Sequence, residues 1–353
     1  MRFPSYISSS SRPVTAFLLR ACLFAAGLAT LQIAVVTLFA HDEDRTVLEA
    51  LHAAEQERWP IVFFGDSTLE FVSKEDTDER TLEQMVSENL AAWTSSESSR
   101  DNSGIAPSTA FIAFPAMRMF VDAAMARHME KAPYRPRYMI IPVNLRSFAP
   151  PWDWFPGWQF VDVFQELRFG AAYRYFKTPM LIFDVTDMVP ISEEEYMNSP
   201  VYYGNEHCGQ LKDFVMEMDK GYTRDLASGF IVSYMSPITS TNRQLVALRD
   251  LARTAKRLGV TPLFYLTPTD YEEGVNQLGE DLRRQLEANA KVVTQALADE
   301  DAPSLDLTFA LDHSHFDYHH MPDEHLRDTG RVFLANQITD WIKAQEAARA
   351  SLR

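Results

Sequence analysis

A serine follows a short apolar run near residue 60, in surroundings that suit either a nucleophile or a turn. Residues 61–64 are apolar, and Gly65, Asp66 and Ser67 come next. A glycine lets the chain turn sharply, so the serine hydroxyl can project from the end of a buried strand. A serine in that position is a nucleophile if a base reaches it. The same tripeptide also suits turns and helix caps, so alone it leaves both interpretations open.

A histidine near the C-terminus could supply that base. His325 follows the last apolar strand-like run and precedes the last segment of helical periodicity. A histidine base needs a carboxylate that fixes its tautomer. Three aspartates are candidates for this carboxylate: Asp323, Asp317 and Asp312.

Two further positions could hold the oxyanion that forms during acyl transfer. Asn144 directly follows the apolar run at 138–143, and its side-chain amide is a hydrogen-bond donor. Gly104 lies in a polar loop and could offer its backbone N–H. The alternatives are an asparagine that only bonds to its own loop and a glycine in a simple linker.

The pattern of apolar residues predicts where these groups meet. Strand-like runs alternate with segments of helical periodicity, and the runs cover 61–64, 138–143, 261–266 and 303–308. This alternation predicts parallel βαβ units in an α/β fold, a three-layer sandwich with a mostly parallel sheet. Sites in such sheets form at the carboxyl ends of the strands. We therefore expect Ser67, Asn144 and His325 at one edge of the sheet.

One segment between the first two runs is assigned to a helix. Residues 107–129 contain apolar residues throughout, and they are predicted to form one long helix bent at Pro115.

These blocks together resemble the SGNH (GDSL-type) family of serine esterases and acyltransferases. The resemblance rests on FFGDS at 63–67, IIPVN at 140–144 and HLRDTG at 325–330. It implies an SGNH/flavodoxin-like fold with Ser67 as nucleophile, His325 as base, and Asn144 and Gly104 in the oxyanion hole. The family's acid commonly lies three residues before the histidine, where this chain has Pro322. Asp323 resembles the Asp-x-His arrangement of relatives that acetylate exopolysaccharides.

Two other clusters in the sequence could carry chemistry. Residues 312–325 hold five histidines and three aspartates, which are ligand types for zinc, although no HExxH or similar spacing occurs among them. An aromatic-rich stretch follows Asn144, and its tryptophans could stack on sugar rings or simply fill a core. These tryptophans are Trp152, Trp154 and Trp158.

The N-terminus predicts a membrane anchor. Residues 21–40 form an uncharged run of 20 residues, preceded by arginines and followed by acidic residues. At about 1.5 Å per residue such a helix reaches roughly 30 Å, the thickness of a hydrocarbon core. By the positive-inside rule the body is exported, to the periplasmic or extracellular side. The alternative is a cleaved signal peptide.

The predicted organisation places one large domain behind this anchor. We expect a cytoplasmic tail at 1–13, a transmembrane anchor at 14–40 and a juxtamembrane helix at 41–60. An SGNH-like α/β domain then covers 61–353, with an aromatic-rich insertion at about 150–235.

The amino-acid composition restricts the kinds of binding partner that we expect. The net charge is −16, and removal of the three arginines of residues 1–40 leaves −19 for the rest of the chain, so we expect no nucleic-acid binding. The two cysteines, Cys22 and Cys208, offer neither a disulfide framework nor a cysteine zinc site. We expect no cofactor and no metal ligand.

The sequence therefore predicts a membrane-anchored esterase or O-acyltransferase. Its expected partners are an acyl ester or glycan substrate and a lipid bilayer around residues 14–40. Two alternatives stay open: a catalytically idle relative that binds glycans or acts as a scaffold, and a metal-dependent hydrolase that uses the 312–325 cluster.

Overall fold

The computed structural model describes most of the chain. The described residues are 11–39, 46–95, 108–153, 160, 163–164, 166–167, 192–217, 222–317, 322 and 324–352. The chain divides into two units, one formed by Met1–Asp44 with Gln165–Asp187 and one by Arg45–Phe164 with Met188–Arg353. The second unit carries the central sheet and every candidate site residue that the structure describes.

Nine strands occur in the described residues. They are β1 (Ile61–Gly65), β2 (Thr109–Ala113), β3 (Tyr138–Val143), β4 (Pro200–Tyr203), β5 (Glu206–Gln210), β6 (Val215–Glu217), β7 (Tyr222–Thr223), β8 (Thr261–Leu266) and β9 (Ser304–Asp306). Five of them form one parallel sheet in the order β2-β1-β3-β8-β9. The chain therefore leaves β1 toward one side of the sheet and returns on the other side at β3. This reversal point is where open α/β sheets bind ligands.

The described residues form twelve α-helices; the first belongs to the first unit, and helices of the second unit cover both faces of the sheet. In chain order they are α1 (Ser11–Phe39), α2 (Thr46–Glu57), α3 (Ser67–Glu70), α4 (Leu82–Ser95), α5 (Met119–Met129), α6 (Pro150–Asp153), α7 (Glu193–Met197), α8 (Leu226–Tyr234), α9 (Arg243–Leu258), α10 (Tyr271–Leu278), α11 (Glu280–Ala298) and α12 (Asp328–Ser351). Helices α4 and α12 pack together, and α5 packs against α9. The predicted three-layer α/β fold with a mostly parallel sheet is confirmed.

Apolar side chains on both faces of the strands explain why helices cover both faces of the sheet. Phe63, Ile140 and Leu263 belong to the core cluster that also contains apolar residues of α4 and α12. Their neighbours along the strands, such as Phe64 and Ile141, are equally buried. Because successive side chains point to opposite faces, continuous apolar strands need helices on both sides.

One strand contradicts the sequence-based assignment. Residues 107–129 were predicted as one bent helix, but Thr109–Ala113 is a strand that pairs in parallel with β1, and helix α5 begins only at Met119. A short apolar run has no periodicity that separates a buried strand from a buried helix. The β-branched Thr109 and Ile112 were the available signal for a strand.

The predicted insertion at 150–235 contains small elements of its own in its described part. Strands β4 and β5 pair antiparallel, as do β6 and β7, and neither pair joins the central sheet. The domain boundaries themselves stay a prediction.

Helix α1 is long and apolar enough to cross a membrane. Its segment Thr15–Val35 spans 21 residues with almost no charge, and none of it is buried in the structure. Signal sequences near an N-terminus meet the same criteria of length and composition.

Candidate active site

Ser67 opens a one-turn helix directly after the central strand β1. The side chain of Asp66 caps this helix, because its Oδ1 accepts hydrogen bonds from the Thr68 backbone N–H (3.0 Å) and the Thr68 hydroxyl (2.7 Å). Ser67 is therefore the first residue of the helix, where a backbone N–H has no acceptor within the helix. The carboxylate that precedes the serine is thus occupied in shaping the turn.

The structure requires glycine at position 65 for a reason other than the one that the sequence predicted. Gly65 was expected to be the bend, but it is the last residue of β1 and pairs with Ala113 of β2. A Cβ atom at this position would lie 2.6 Å from Pro142 Cγ and 2.7 Å from Leu69 Cδ1. Glycine is needed here because β3 and α3 approach the backbone closely, which draws the ends of β1 and β3 together.

His325 reaches Ser67 from the other end of the chain. The distance from Ser67 Oγ to His325 Nε2 is 3.0 Å, which is hydrogen-bond length. The Phe71 ring packs against the imidazole with 4.7 Å between ring centroids. Phe71 is the residue that ends helix α3, so one helical turn supplies both the serine and a wall for the histidine. Helix α12 starts at Asp328, so His325 lies in the preceding segment.

The carboxylate behind His325 stays a prediction. Asp323 lies outside the described residues. Asp317 donates its backbone N–H to the carbonyl oxygen of His325 at 3.1 Å. Asp312 caps the 3-10 helix His313–His315, and its Oδ1 accepts from the Ser314 backbone N–H at 3.0 Å.

Asn144 begins the loop after β3, at the same edge as Ser67. The β1–β3 register pairs Phe63 with Ile140, and its continuation sets Asn144 level with Ser67. Asn144 is buried, and its Oδ1 accepts from the Arg146 backbone N–H at 3.2 Å. Its Nδ2 has no hydrogen-bond partner in the part of the chain that the structure describes. A buried donor without an acceptor destabilises the folded state by about 1–3 kcal/mol, and an incoming acceptor would remove this cost.

A buried ion pair connects the two loops that carry Asn144 and His325. An Arg146 nitrogen lies 2.9 Å from Glu324 Oε2, an ion pair rather than an aligned hydrogen bond. Arg146 also donates to the Pro322 carbonyl oxygen at 3.3 Å, and the Tyr234 hydroxyl donates to Glu324. Sequence reasoning missed this pair. The proximity of Arg146 to Asn144 and of Glu324 to His325 along the chain was the available signal.

The proposed aromatic platform is described only in part. Trp154 and Trp158 lie outside the described residues, as does Gly104. The guanidinium groups of Arg118 and Arg146 lie 4.8 and 4.9 Å from the Trp152 ring centroid. Trp152 therefore packs with two cations beside the Asn144 loop, and its role toward a substrate stays a prediction.

The histidines of residues 312–325 have separate partners where the structure describes them. His313 Nδ1 lies 2.7 Å from Asp270 Oδ2, and His315 Nδ1 lies 2.8 Å from the Thr329 hydroxyl. His325 faces Ser67. Within the described residues this segment does not gather three metal ligands at one point.

A buried carboxylate lies near the nucleophile turn. Asp122 in α5 is fully buried, and neither of its oxygens has a hydrogen-bond partner among the described residues. Burial, and secondarily the negative charge of Asp66, raises the pKa of Asp122 well above its ordinary value. Asp122 is therefore neutral over a wider pH range than an exposed aspartate.

This carboxylate makes stability depend on pH with a definite sign. Above about pH 4 the unfolded chain releases the Asp122 proton while the folded chain keeps it, so stability falls as pH rises toward the folded pKa. The slope reaches at most about 1.4 kcal/mol per pH unit for one proton. Asp122→Asn should remove this component of the slope, measured by urea denaturation from pH 4 to 8. Parallel wild-type and variant curves would contradict this prediction.

Comparison with known proteins gives remote structural matches. No family model and no curated protein matches the sequence. An acetylxylan esterase, Axe2 from Geobacillus stearothermophilus, aligns with a TM-score of 0.35 and 12% identity, over 78% of this chain and 90% of its own. A Bacteroides fragilis protein that is assigned as an acylhydrolase aligns with a TM-score of 0.37 and 9% identity, over 87% of this chain and 99% of its own. Scores this low support no inference about activity.

Proposed function

We propose that this chain is a serine esterase or O-acyltransferase of the SGNH type. The observation that carries the proposal is the 3.0 Å distance between Ser67 Oγ and His325 Nε2 at the reversal point of the sheet. The buried Asn144 amide on the neighbouring strand end supports it. Acyl transfer needs a nucleophile, a base and an oxyanion donor, and these three groups lie at one edge of the sheet.

The first half of the reaction transfers the acyl group to the serine. Ser67 Oγ attacks the ester carbonyl carbon while its proton passes to His325 Nε2, which requires a neutral imidazole with its own proton on Nδ1. The Ser67 backbone N–H and Asn144 Nδ2 hold the oxyanion. His325 then gives the proton to the leaving alcohol oxygen, and an acyl-serine forms.

The second half releases the acyl group to an acceptor hydroxyl. His325 takes a proton from water or from a sugar hydroxyl, whose oxygen attacks the acyl-serine carbonyl carbon. Collapse of the tetrahedral intermediate returns the proton to Ser67 Oγ. Water yields a carboxylic acid, and a sugar hydroxyl yields an O-acylated glycan. In both halves of the reaction, the Asp323 carboxylate is proposed to accept a hydrogen bond from His325 Nδ1–H. The Gly104 backbone N–H is proposed as a further donor to the oxyanion.

The chemistry is proposed to take place outside the cytoplasm, on a membrane-anchored domain. The apolar segment Thr15–Val35 of α1 is about 30 Å long as a helix. Arginines precede it and the acidic residues 42–44 follow it. A tethered esterase in that location has envelope or secreted glycans within reach, and we propose their acyl esters as its substrates.

A fluorophosphonate probe tests the serine chemistry. The probe should label the full-length protein at Ser67, as identified by peptide mass spectrometry, and Ser67→Ala should abolish labelling. Ser95→Ala is the matched control, because Ser95 is an exposed serine whose hydroxyl donates to the Ala92 carbonyl oxygen. Folded protein that takes up no probe would instead support the scaffold alternative. Ester hydrolysis that survives Ser67→Ala and stops with a chelator would support the metal-dependent hydrolase.

Chemical labelling of the cysteines tests the proposed membrane topology. Cys208 is exposed in the body, and Cys22 lies within the apolar helix. A membrane-impermeant maleimide should therefore modify Cys208 in intact cells stripped of any outer membrane, and Cys208→Ser should remove the signal. Labelling that appears only after lysis would place the body in the cytoplasm and contradict the proposed location.

A further inference from the structure

Three metal-ligand side chains meet where α2 lies beside α5. His52 and Glu55 lie on α2, and His128 lies in the last turn of α5. One ligand atom of each lies within 4.8 Å of the other two. The two imidazole rings are 6.1 Å apart between centroids. Residues three apart on a helix share a face, so α2 presents His52 and Glu55 together toward His128.

The surroundings of Glu55 favour the binding of a cation. Its Oε1 is buried and has no hydrogen-bond partner within the described residues. A buried carboxylate oxygen without a partner is unfavourable by about 1–3 kcal/mol or more. Arg or Lys would satisfy it by pairing, but here the groups beside it are two imidazoles, which are themselves metal ligands.

We propose that His52, Glu55 and His128 bind a divalent transition-metal ion of the Zn²⁺ class. Imidazole nitrogen and carboxylate oxygen suit zinc at about 2.0–2.2 Å, which places ligand atoms roughly 3.3 Å apart in a tetrahedron. The ligand atoms would draw in from their present spacing by side-chain rotation, which the exposed His52 permits. Three protein ligands leave one coordination position for water.

Topology separates this site from the serine site. Helix α5 runs from the carboxyl end of β2 to the amino end of β3, so His128 in its last turn lies near the amino edge of the sheet. Helix α2 precedes the amino end of β1 and reaches the same edge. Ser67 lies at the carboxyl edge. A metal here would fasten α2, which follows α1 in the sequence, to the end of α5, away from Ser67.

This site departs from the sequence-based expectation of no metal. His52 and Glu55 show an ordinary helical pattern, and His128 is far from them in the chain. Only the fold, which brings the end of α5 close to α2, puts the three side chains together.

Metal binding to the full-length protein in detergent, without a polyhistidine tag, tests the proposal. After chelator treatment, Co²⁺ should bind at one equivalent with a visible absorption of tetrahedral type, and Zn²⁺ should displace it. His52→Ala and His128→Ala should each weaken Zn²⁺ affinity at least tenfold. His207→Ala is the matched control, because His207 is an exposed histidine of β5 outside the cluster, and it should bind as the wild type does.

The effect of Zn²⁺ on the thermal unfolding midpoint is a second measurement, for the case that a histidine variant folds poorly. Zn²⁺ should raise the unfolding midpoint of the wild type and of His207→Ala but not of Glu55→Gln, which keeps the size of the side chain and removes its charge. Equal Zn²⁺ affinity in the wild type and the His52→Ala/His128→Ala double variant would overturn the proposal. Loss of Zn²⁺ binding in His207→Ala alone would also overturn it.

Discussion

Replacement of Ser67 by Ala is expected to lower kcat/KM for ester hydrolysis by at least roughly a thousandfold, and replacement of His325 by Ala should cost about as much. The reason is the contact between the two side chains, 3.0 Å from Ser67 Oγ to His325 Nε2. Neither group performs its step without the other, because the serine needs a proton acceptor and the imidazole needs the serine as nucleophile.

The double variant gives the sharper result. Groups that act as one unit are non-additive, so Ser67→Ala/His325→Ala should be no slower than the slower single variant. Independent contributions would instead multiply, giving a further drop of about a thousandfold. The measurement is initial-rate hydrolysis of an acetyl ester by purified full-length protein, corrected for spontaneous hydrolysis.

Two controls separate chemistry from damage to the fold. Ser95→Ala and His207→Ala replace the same residue types at exposed positions and should keep wild-type kcat/KM. Circular dichroism should show that the Ser67 and His325 variants fold. Near-wild-type hydrolysis by Ser67→Ala, or a multiplicative loss in the double variant, would contradict the proposed mechanism.

The sequence predicted that Ser67 and His325 lie close together, because Ser67 follows the buried strand β1 and His325 lies between the last strand and the last helix. Strand ends are readable from a run of apolar residues, and parallel strands bring their carboxyl ends to one edge. Asn144 was placed by the same reasoning. Gly259 is a signal of the same local kind: it follows the helix Arg243–Leu258 and has a φ of +70°, which glycine adopts easily.

The remaining features depend on contacts between distant segments, which periodicity does not encode. Gly65 was assigned to a bend, whereas its requirement for glycine comes from Pro142 of the neighbouring strand. Strand β2 was assigned to a helix because its five residues give no period, and only the pairing with β1 defines it. Arg146 and Glu324 are ordinary polar residues in the sequence, and only the fold makes them a buried pair.

A second large effect is expected at Arg331, on stability. Arg331 in α12 is almost fully buried, and a guanidinium nitrogen lies 2.5 Å from the equally buried carboxylate of Asp76. Arg331 also donates to three carbonyl oxygens, those of Arg80 (3.1 Å), Leu326 (3.0 Å) and Asp78 (2.6 Å). One side chain thus joins the loop after the nucleophile helix to the residue that follows His325.

Arg331→Ala should lower the free energy of unfolding by about 3–5 kcal/mol, because it leaves the buried Asp76 carboxylate without its counter-ion and removes the donor from three carbonyl oxygens. Arg331→Lys should recover little of this loss, since an ammonium group cannot replace the fork of five donors. The measurement is urea denaturation followed by two probes, whose coincidence tests two-state behaviour.

Lys256→Ala is the control for loss of an ordinary surface ion pair. Lys256 pairs with Asp301, and both side chains are largely exposed, so its loss should leave the urea midpoint almost unchanged. If Arg331 positions the histidine as well as stabilising the fold, fluorophosphonate labelling of Ser67 should slow in Arg331→Lys under conditions where that variant is still folded. An Arg331→Ala midpoint equal to that of Lys256→Ala would show that the buried pair contributes no more than a surface pair. Wild-type labelling of Ser67 in folded Arg331→Lys would show that the Arg331 contact with Leu326 has no part in holding His325 against Ser67.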